Sequence, residues 1–150
     1  MDGSGKRFGE VRVGDTFART VTVTDTHIVQ GAGLIGDFNP HHVDDVYARG
    51  SRFGTRILHG MITSAMMGAA VGMYFHGTAI AYLKHNARFK APVRANDTLT
   101  STWTVTDLLP KPAYGGGIVV LKGVAVNQDG TIVAEADGKI LVSGEMAARG

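Results

Sequence analysis

Between Gly36 and Asp44 the chain reads GDFNPHHVD, which places a carboxylate, an amide, a proline and two adjacent imidazoles within nine residues. An Asp and a His on one side of a cleft form an acid–base pair that can hold a water, one side chain taking a proton while the other gives one. Addition or elimination of water needs such a pair, and Asp37 with either His41 or His42 could form it. Pro40 fixes its own φ and restrains Asn39 to extended backbone, so the flanking side chains are aimed rather than free. The same residue types also build plain turns, with Asp37 closing a preceding helix, and spacing alone favours that reading. A metal ion held by Asp37, His41 and His42 is a third reading. Adjacent histidines in extended chain point to opposite faces, so no metal is expected.

A second group lies further on, where His59-Gly60 opens the run GMITSAMMGAAVGMYF. Backbone amides at a helix N-terminus stabilise negative charge on an oxygen, and Gly60 has no side chain in the way. Beside an Asp/His pair, such a site polarises a carbonyl while water adds to or leaves the adjacent carbons. Plain packing of a helix against a sheet explains a glycine there equally well.

These residues need elements to carry them. Thr16 to Thr24 alternates and is rich in β-branched types, which predicts a strand; Asp25 is the expected N-cap of a short helix running to Ile35. DDVYARG reads as a helical turn or two and SRFGTRI as a loop. The run after His59 is apolar on nearly every face, so it must be wrapped by other structure. From Ile80 to Val93 one parity is apolar (Ala81, Leu83, Ala87, Phe89, Ala91) and is expected to face that helix. Strands are further expected over Thr98–Thr106, over Ile118–Val126 as a central strand apolar on both parities, and over Thr131–Val142, with a turn at Asp129-Gly130. KPAYGGG, from Lys111 to Gly117, is expected to be a mobile hairpin connection, since it lacks the helix start a phosphate cradle needs. The expected class is α+β, an antiparallel sheet around one helix, in a single domain over residues 1–150.

Composition narrows the function. A net charge of +2 with scattered basic residues shows no nucleic-acid footprint, and the absence of cysteine removes thiolate metal sites and cysteine nucleophiles. Met61 to Phe75 is too short to span a bilayer, which needs roughly 20 apolar residues. MDGSGKRFGEVRVGD has no apolar signal core, so a cytoplasmic address and no membrane partner are expected.

The run GDFNPHHVDDVYA resembles the signature of the MaoC-like dehydratases and (R)-specific enoyl-CoA hydratases, roughly Gly-Asp-x-Asn-Pro-aliphatic-His followed by Ala or Ser. Gly36, Asp37, Asn39, Pro40, His42 and Ala48 match, and RILHGMITSAMMG and FKAPVRANDTL are similar to later family segments in the same order. His41 stands where the family has an aliphatic residue, and Asn96 where it has a turn glycine. The resemblance implies the hotdog fold, a homodimer or higher homo-oligomer, and an acyl-CoA substrate used in fatty acid metabolism, with no cofactor beyond the coenzyme A thioester itself. It implies Asp37 and His42 as the catalytic pair, Asn39 in support, and the Gly60 amide on the thioester carbonyl. His59 and Met61 beside Gly60 are candidate substrate contacts; Lys84, Arg88 and Lys90 are candidates for the CoA phosphates. His41 is expected to pack, and His27, His76 and His85 have no evident partner. The implied reaction is reversible hydration of a trans-2-enoyl-CoA to a (3R)-3-hydroxyacyl-CoA. The rivals are a thioesterase on the same fold and a non-catalytic acyl-CoA-binding subunit.

Overall fold

A computed structural model describes residues 5–145; residues 1–4, which open the N-terminal run discussed above, and 146–150 lie outside the description. Five strands, β1 (Thr16–Thr22), β2 (Ala79–Phe89), β3 (Thr98–Lys111), β4 (Gly116–Val126) and β5 (Ile132–Val142), form one antiparallel sheet in the order β1-β3-β4-β5-β2. The strand expected to be central is central. β3 buries Leu99, Ser101, Trp103 and Val105, the odd positions of its alternating run. At the β4–β5 turn Asn127 Oδ1 accepts the amides of Asp129 and Thr131, both at 3.0 Å, and Gly130 takes the left-handed φ of 77° that glycine tolerates.

Four helices precede or pack on this sheet: α1 (Asp25–Ile35), α2 (Pro40–Val43), α3 (Asp45–Gly50) and α4 (Gly60–Tyr74). α4 touches β1, β2, β3 and β5, and the Trp103 indole N–H donates to the Met67 carbonyl at 3.0 Å, tying the sheet centre to the helix backbone. This is the hotdog arrangement of the α+β class. None of the helices is long and apolar enough to cross a membrane among the described residues.

Four expectations are corrected. Thr24, not Asp25, is the N-cap of α1; its backbone N–H donates to His27 Nδ1 at 2.9 Å, which leaves the Asp25 carboxylate free to pair with Arg56. KPAYGGG is a hairpin connection as expected, but one shorter than its seven residues. Lys111 pairs with Gly116 across a single 3-10 turn, and a side chain at Gly116 or Gly117 would collide with the Val142 carbonyl or the Phe8 ring, so these glycines serve close packing.

In β2 the period-two reading fails at its first half because bulges at Ile80 and Leu83 each insert one residue against β5. Tyr82 therefore pairs with the buried Ile140 and His85 with Gly138, while Leu83, expected inside, is exposed. Finally, the sheet covers only one side of α4, burying Thr63, Ser64, Met67, Ala70 and Val71. Its other side is open, with Met61 66% and Met73 59% exposed.

Candidate active site

The polar segment is a chain of short-range hydrogen bonds that leads from α1 into α2. Gly36 ends α1 with a left-handed φ of 75°, a conformation open to glycine at little cost, and its amide returns to the Ala32 carbonyl at 2.9 Å. Asp37 Oδ1 then accepts the Asn39 amide at 3.1 Å, and Asn39 Oδ1 accepts the His41 amide at 3.3 Å. Asn39 is thus the N-cap of α2, with Pro40 in the first helical position where its missing N–H costs nothing.

His41 and His42 therefore sit on a helical turn, not on extended chain as expected. They still diverge, because successive helical side chains point about 100° apart. The His41 ring packs edge-on against Tyr47 and Phe53, at 5.1 and 5.4 Å between centroids. The His42 ring turns the other way.

There His42 Nδ1 lies 2.7 Å from the Ile57 carbonyl. A carbonyl only accepts, so Nδ1 carries the hydrogen and Nε2 presents its lone pair. Nε2 faces Asp37 Oδ2 at 3.8 Å, too far for a direct hydrogen bond and close enough for one water to donate to both. Ile57 is itself fixed: its amide donates to the His41 carbonyl at 3.0 Å, and it bridges to Arg94. Next to it, Arg56 pairs with Asp25 at the start of α1 and, at 2.6 Å, with Asp45 at the start of α3. Hydrogen bonding to Asp45, with the charge of Asp25 beside it, holds the Arg56 guanidinium further above its already high value.

The start of α4 adjoins the pair through His59, whose ring stacks on His42 at 3.7 Å. The amides of Ile62 and Thr63 turn back to the His59 carbonyl at 3.0 and 3.1 Å, while those of Gly60 and Met61 have no backbone acceptor among the described residues. Free amides at a helix start are what a developing oxyanion needs. A Cβ on Gly60 would press on the Phe89 ring at 3.3 Å. Packing against Phe89 thus disfavours a side chain there unless the ring gives by a few tenths of an ångström.

Gly60 opens onto a cavity of about 340 Å³ lined also by Ile57, Thr63, Phe89, Arg52 and Lys90. A hollow of about 400 Å³ beside Lys6, Arg7 and Tyr74 is larger but holds none of these groups. Asp37 and His42 line neither of the two.

The structure sorts the remaining candidates. Lys90 lines the cavity at Gly60; Arg88 is engaged by Asp137 at 3.2 Å and Glu135 at 3.8 Å; Lys84 lies exposed on β2. Met61 lines a different, open hollow with Ser64, Ala65, Gly68, Tyr82 and His85. His59 is 2% exposed and does not line the Gly60 cavity.

His85, read as partnerless, is hydrogen-bonded through Nδ1 to the Tyr82 hydroxyl at 2.8 Å; burial pushes the Tyr82 phenol up to about 12 and the His85 imidazole down. Sequence reasoning missed Arg52, Thr63 and the Ile57 carbonyl as parts of the site. Arg52 and Thr63 carry no motif, and a backbone carbonyl has no residue type to read.

Asp37, His42 and His59 bring ligand-type atoms within 4.8 Å of one another. The His42 and His59 rings, however, are stacked at 3.7 Å with 23° between planes, so their in-plane lone pairs run side by side instead of converging on one ion. The donor set does not fit a metal. It fits proton transfer.

The chain and its fold are matched in known proteins. The model of the MaoC-like domain matches residues 10–128. An (R)-specific enoyl-CoA hydratase of Rhodospirillum rubrum is 33% identical over 90% of this chain and 90% of its own. A 3-hydroxybutyryl-CoA dehydratase of Methylorubrum extorquens is 32% identical over 69% of this chain and 66% of its own. Among solved structures, an unliganded (R)-hydratase of Pseudomonas aeruginosa superposes with a TM-score of 0.83 at 30% identity, covering 93% of this chain and 86% of that one. The chain belongs to the MaoC-like domain family of hydratases and dehydratases.

Proposed function

We propose that this chain is an (R)-specific hydro-lyase that adds water reversibly to a trans-2-enoyl-CoA, giving a (3R)-3-hydroxyacyl-CoA. The observation that carries the reading is the 3.8 Å gap between His42 Nε2 and Asp37 Oδ2, both of them hydrogen-bond acceptors. Two acceptors at that separation call for a molecule with two O–H groups, which is the co-substrate. The names of the relatives from Rhodospirillum rubrum and Methylorubrum extorquens support the acyl-CoA class.

In the proposed reaction the water oxygen bonds to C3 of the enoyl group as one of its protons passes to the pair. The C2=C3 π electrons move toward the thioester, whose oxygen gathers negative charge at the free amide of Gly60. A proton returned from the same pair to C2, on the same face, restores the thioester carbonyl and completes a syn addition. No further cofactor enters the balance. Asn39 acts on Asp37 through its amide and on His42 by capping the turn that carries it.

Lys90, with Arg52 across the cavity, meets the CoA phosphates; Arg88, held by Asp137 and Glu135, contributes less. A homodimer covers the open side of α4 and the edge strand β2, where Met61, Met73, Ile80 and Leu83 are exposed. Sedimentation gives about twice the monomer mass if this holds and the monomer mass if it does not.

Crotonyl-CoA tests the reaction: loss of enoyl absorbance with no free thiol supports hydration. Thiol release makes the chain a thioesterase, and binding without turnover makes it an acyl-CoA-binding subunit. Each of those two results overturns the proposal.

A further inference from the structure

Beyond the pair itself, and resting on the hydratase reading, we infer that His59 is a positioning residue that holds Asp37 and His42 in register with one another. It occupies the N-cap position of α4 yet makes no side-chain cap bond, so it is not there to start the helix as a Ser, Thr, Asp or Asn would be. Its ring is 2% exposed. Burying an imidazole is costly unless its polar atoms are satisfied, and here only one of them is.

His59 Nε2 lies 2.9 Å from the main-chain carbonyl of Asp37, while Nδ1 is buried without a partner. Nε2 therefore carries the hydrogen and donates it to that carbonyl. Gly31 of α1 packs beside Nδ1, where even a Cβ would come within 3.5 Å of it. No residue in this corner rewards the second nitrogen. What the ring does supply is its face, stacked on His42 at 3.7 Å and 23°.

Each half of the pair is thus held twice. Asp37 is gripped at its carboxylate by the Asn39 amide and at its carbonyl by His59. His42 is gripped at its edge by the Ile57 carbonyl and on its face by His59. His59 is the residue that joins the two grips, and through Gly60, its neighbour in sequence, it also ties them to the free amides of α4. A shift of about 1 Å between reacting groups costs on the order of 100-fold in rate, so a clamp between pair and helix start is a kinetic requirement.

Three substitutions separate the two grips. His59→Gln keeps a donor near Nε2 without the ring, His59→Phe keeps the stacked face without the donor, and His59→Leu keeps neither. With crotonyl-CoA the expected result is a fall in kcat of about 10- to 100-fold for His59→Leu at unchanged KM, with His59→Gln and His59→Phe each recovering part of the loss. A rise in KM at unchanged kcat makes His59 a substrate contact and overturns the inference, as does full activity of His59→Leu.

Nitrogen NMR of the wild-type imidazoles needs no turnover and no variant. It is expected to show His59 protonated at Nε2 and bare at Nδ1, with His42 protonated at Nδ1; the opposite tautomer of either ring overturns the inference. A wild-type chain with these tautomers and no hydratase activity sinks the hydratase reading alone.

Discussion

The segment Gly36–Asp44 and the sheet centre β3–β5 follow opposite rules of construction. Around Trp103, which is fully buried, the structure is held by apolar area and close packing; Gly123 is a glycine because a Cβ would enter the indole ring. Around Asp37 the grips are short hydrogen bonds to backbone groups, including the Asn39 amide and the carbonyls of Ile57 and Asp37 itself. Apolar packing contributes much stability and sets direction only loosely. Hydrogen-bonded placement is the reverse, since it sets direction to within tenths of an ångström while contributing only about 1 kcal/mol per bond. The comparison teaches where each kind of damage should appear: at the sheet centre in stability, at the polar segment in rate.

The sharpest break of that division is at the pair. Asp37→Asn or His42→Ala is expected to lower kcat for crotonyl-CoA hydration by about 10²- to 10⁴-fold, as loss of general acid–base catalysis does, with the urea midpoint nearly unchanged. Hydration that survives both substitutions sinks the site assignment. Next in size, Trp103→Ala is expected to cost about 3–5 kcal/mol in urea unfolding, from the cavity and the lost bond to the Met67 carbonyl. A loss confined to activity at Trp103 would erase the distinction between the two regions.

Asn39→Ala tests the boundary, because Asn39 serves both rules as helix cap and as neighbour of Asp37. Removing the cap is expected to cost about 1 kcal/mol by thermal melting, while the Asn39 amide still holds Asp37 Oδ1. The smallest effect is at His85. Burial lowers its folded value, so the folded state binds fewer protons than the unfolded one; stability is therefore full above the ordinary histidine value of roughly 6.5 and declines as pH falls below it. His85→Gln is expected to flatten that decline in melting temperature between pH 8 and pH 5, and an unchanged slope removes His85 as its source.

How much of this was legible depends on whether a signal is periodic or spatial. β3 alternates cleanly, so parity alone predicted which of its residues are buried, whereas β4 is apolar on both parities and only its packing shows that one of them is buried. β2 misled at its first half because a bulge leaves no mark in composition; Ile80 and Leu83 are ordinary strand residues, and only pairing against β5 shows that they are extra. The cap moved by one residue to Thr24 because Thr24 and Asp25 are both good caps, and Thr24 closes a reciprocal capping box with His27 while Asp25 pairs with Arg56.

At the site, Asp37, Asn39, Pro40 and His42 could be read as a turn or as an acid–base group, and spacing alone favoured the turn; the resemblance over the longer run tipped the balance. The partners that aim them left no such signal. Ile57 is one backbone carbonyl among many, and His59 lies 17 positions from His42, a separation that α3 and the following loop close only in three dimensions.

The amino-acid sequence by itself determined the elements, the parity of β3, the α+β class and the identities of the groups able to move a proton. Those follow from local rules: side-chain period, turn chemistry and the pKa range of each residue type. The resemblance already singled out His42 over His41; tertiary structure alone decided that the gap between His42 and Asp37 is 3.8 Å and that His59 is stacked on His42 instead of lining the cavity at Gly60. The physical reason is that a hydrogen bond or a ring stack is specified by tenths of an ångström between residues distant in the chain, and such distances are set by the packing of the whole fold.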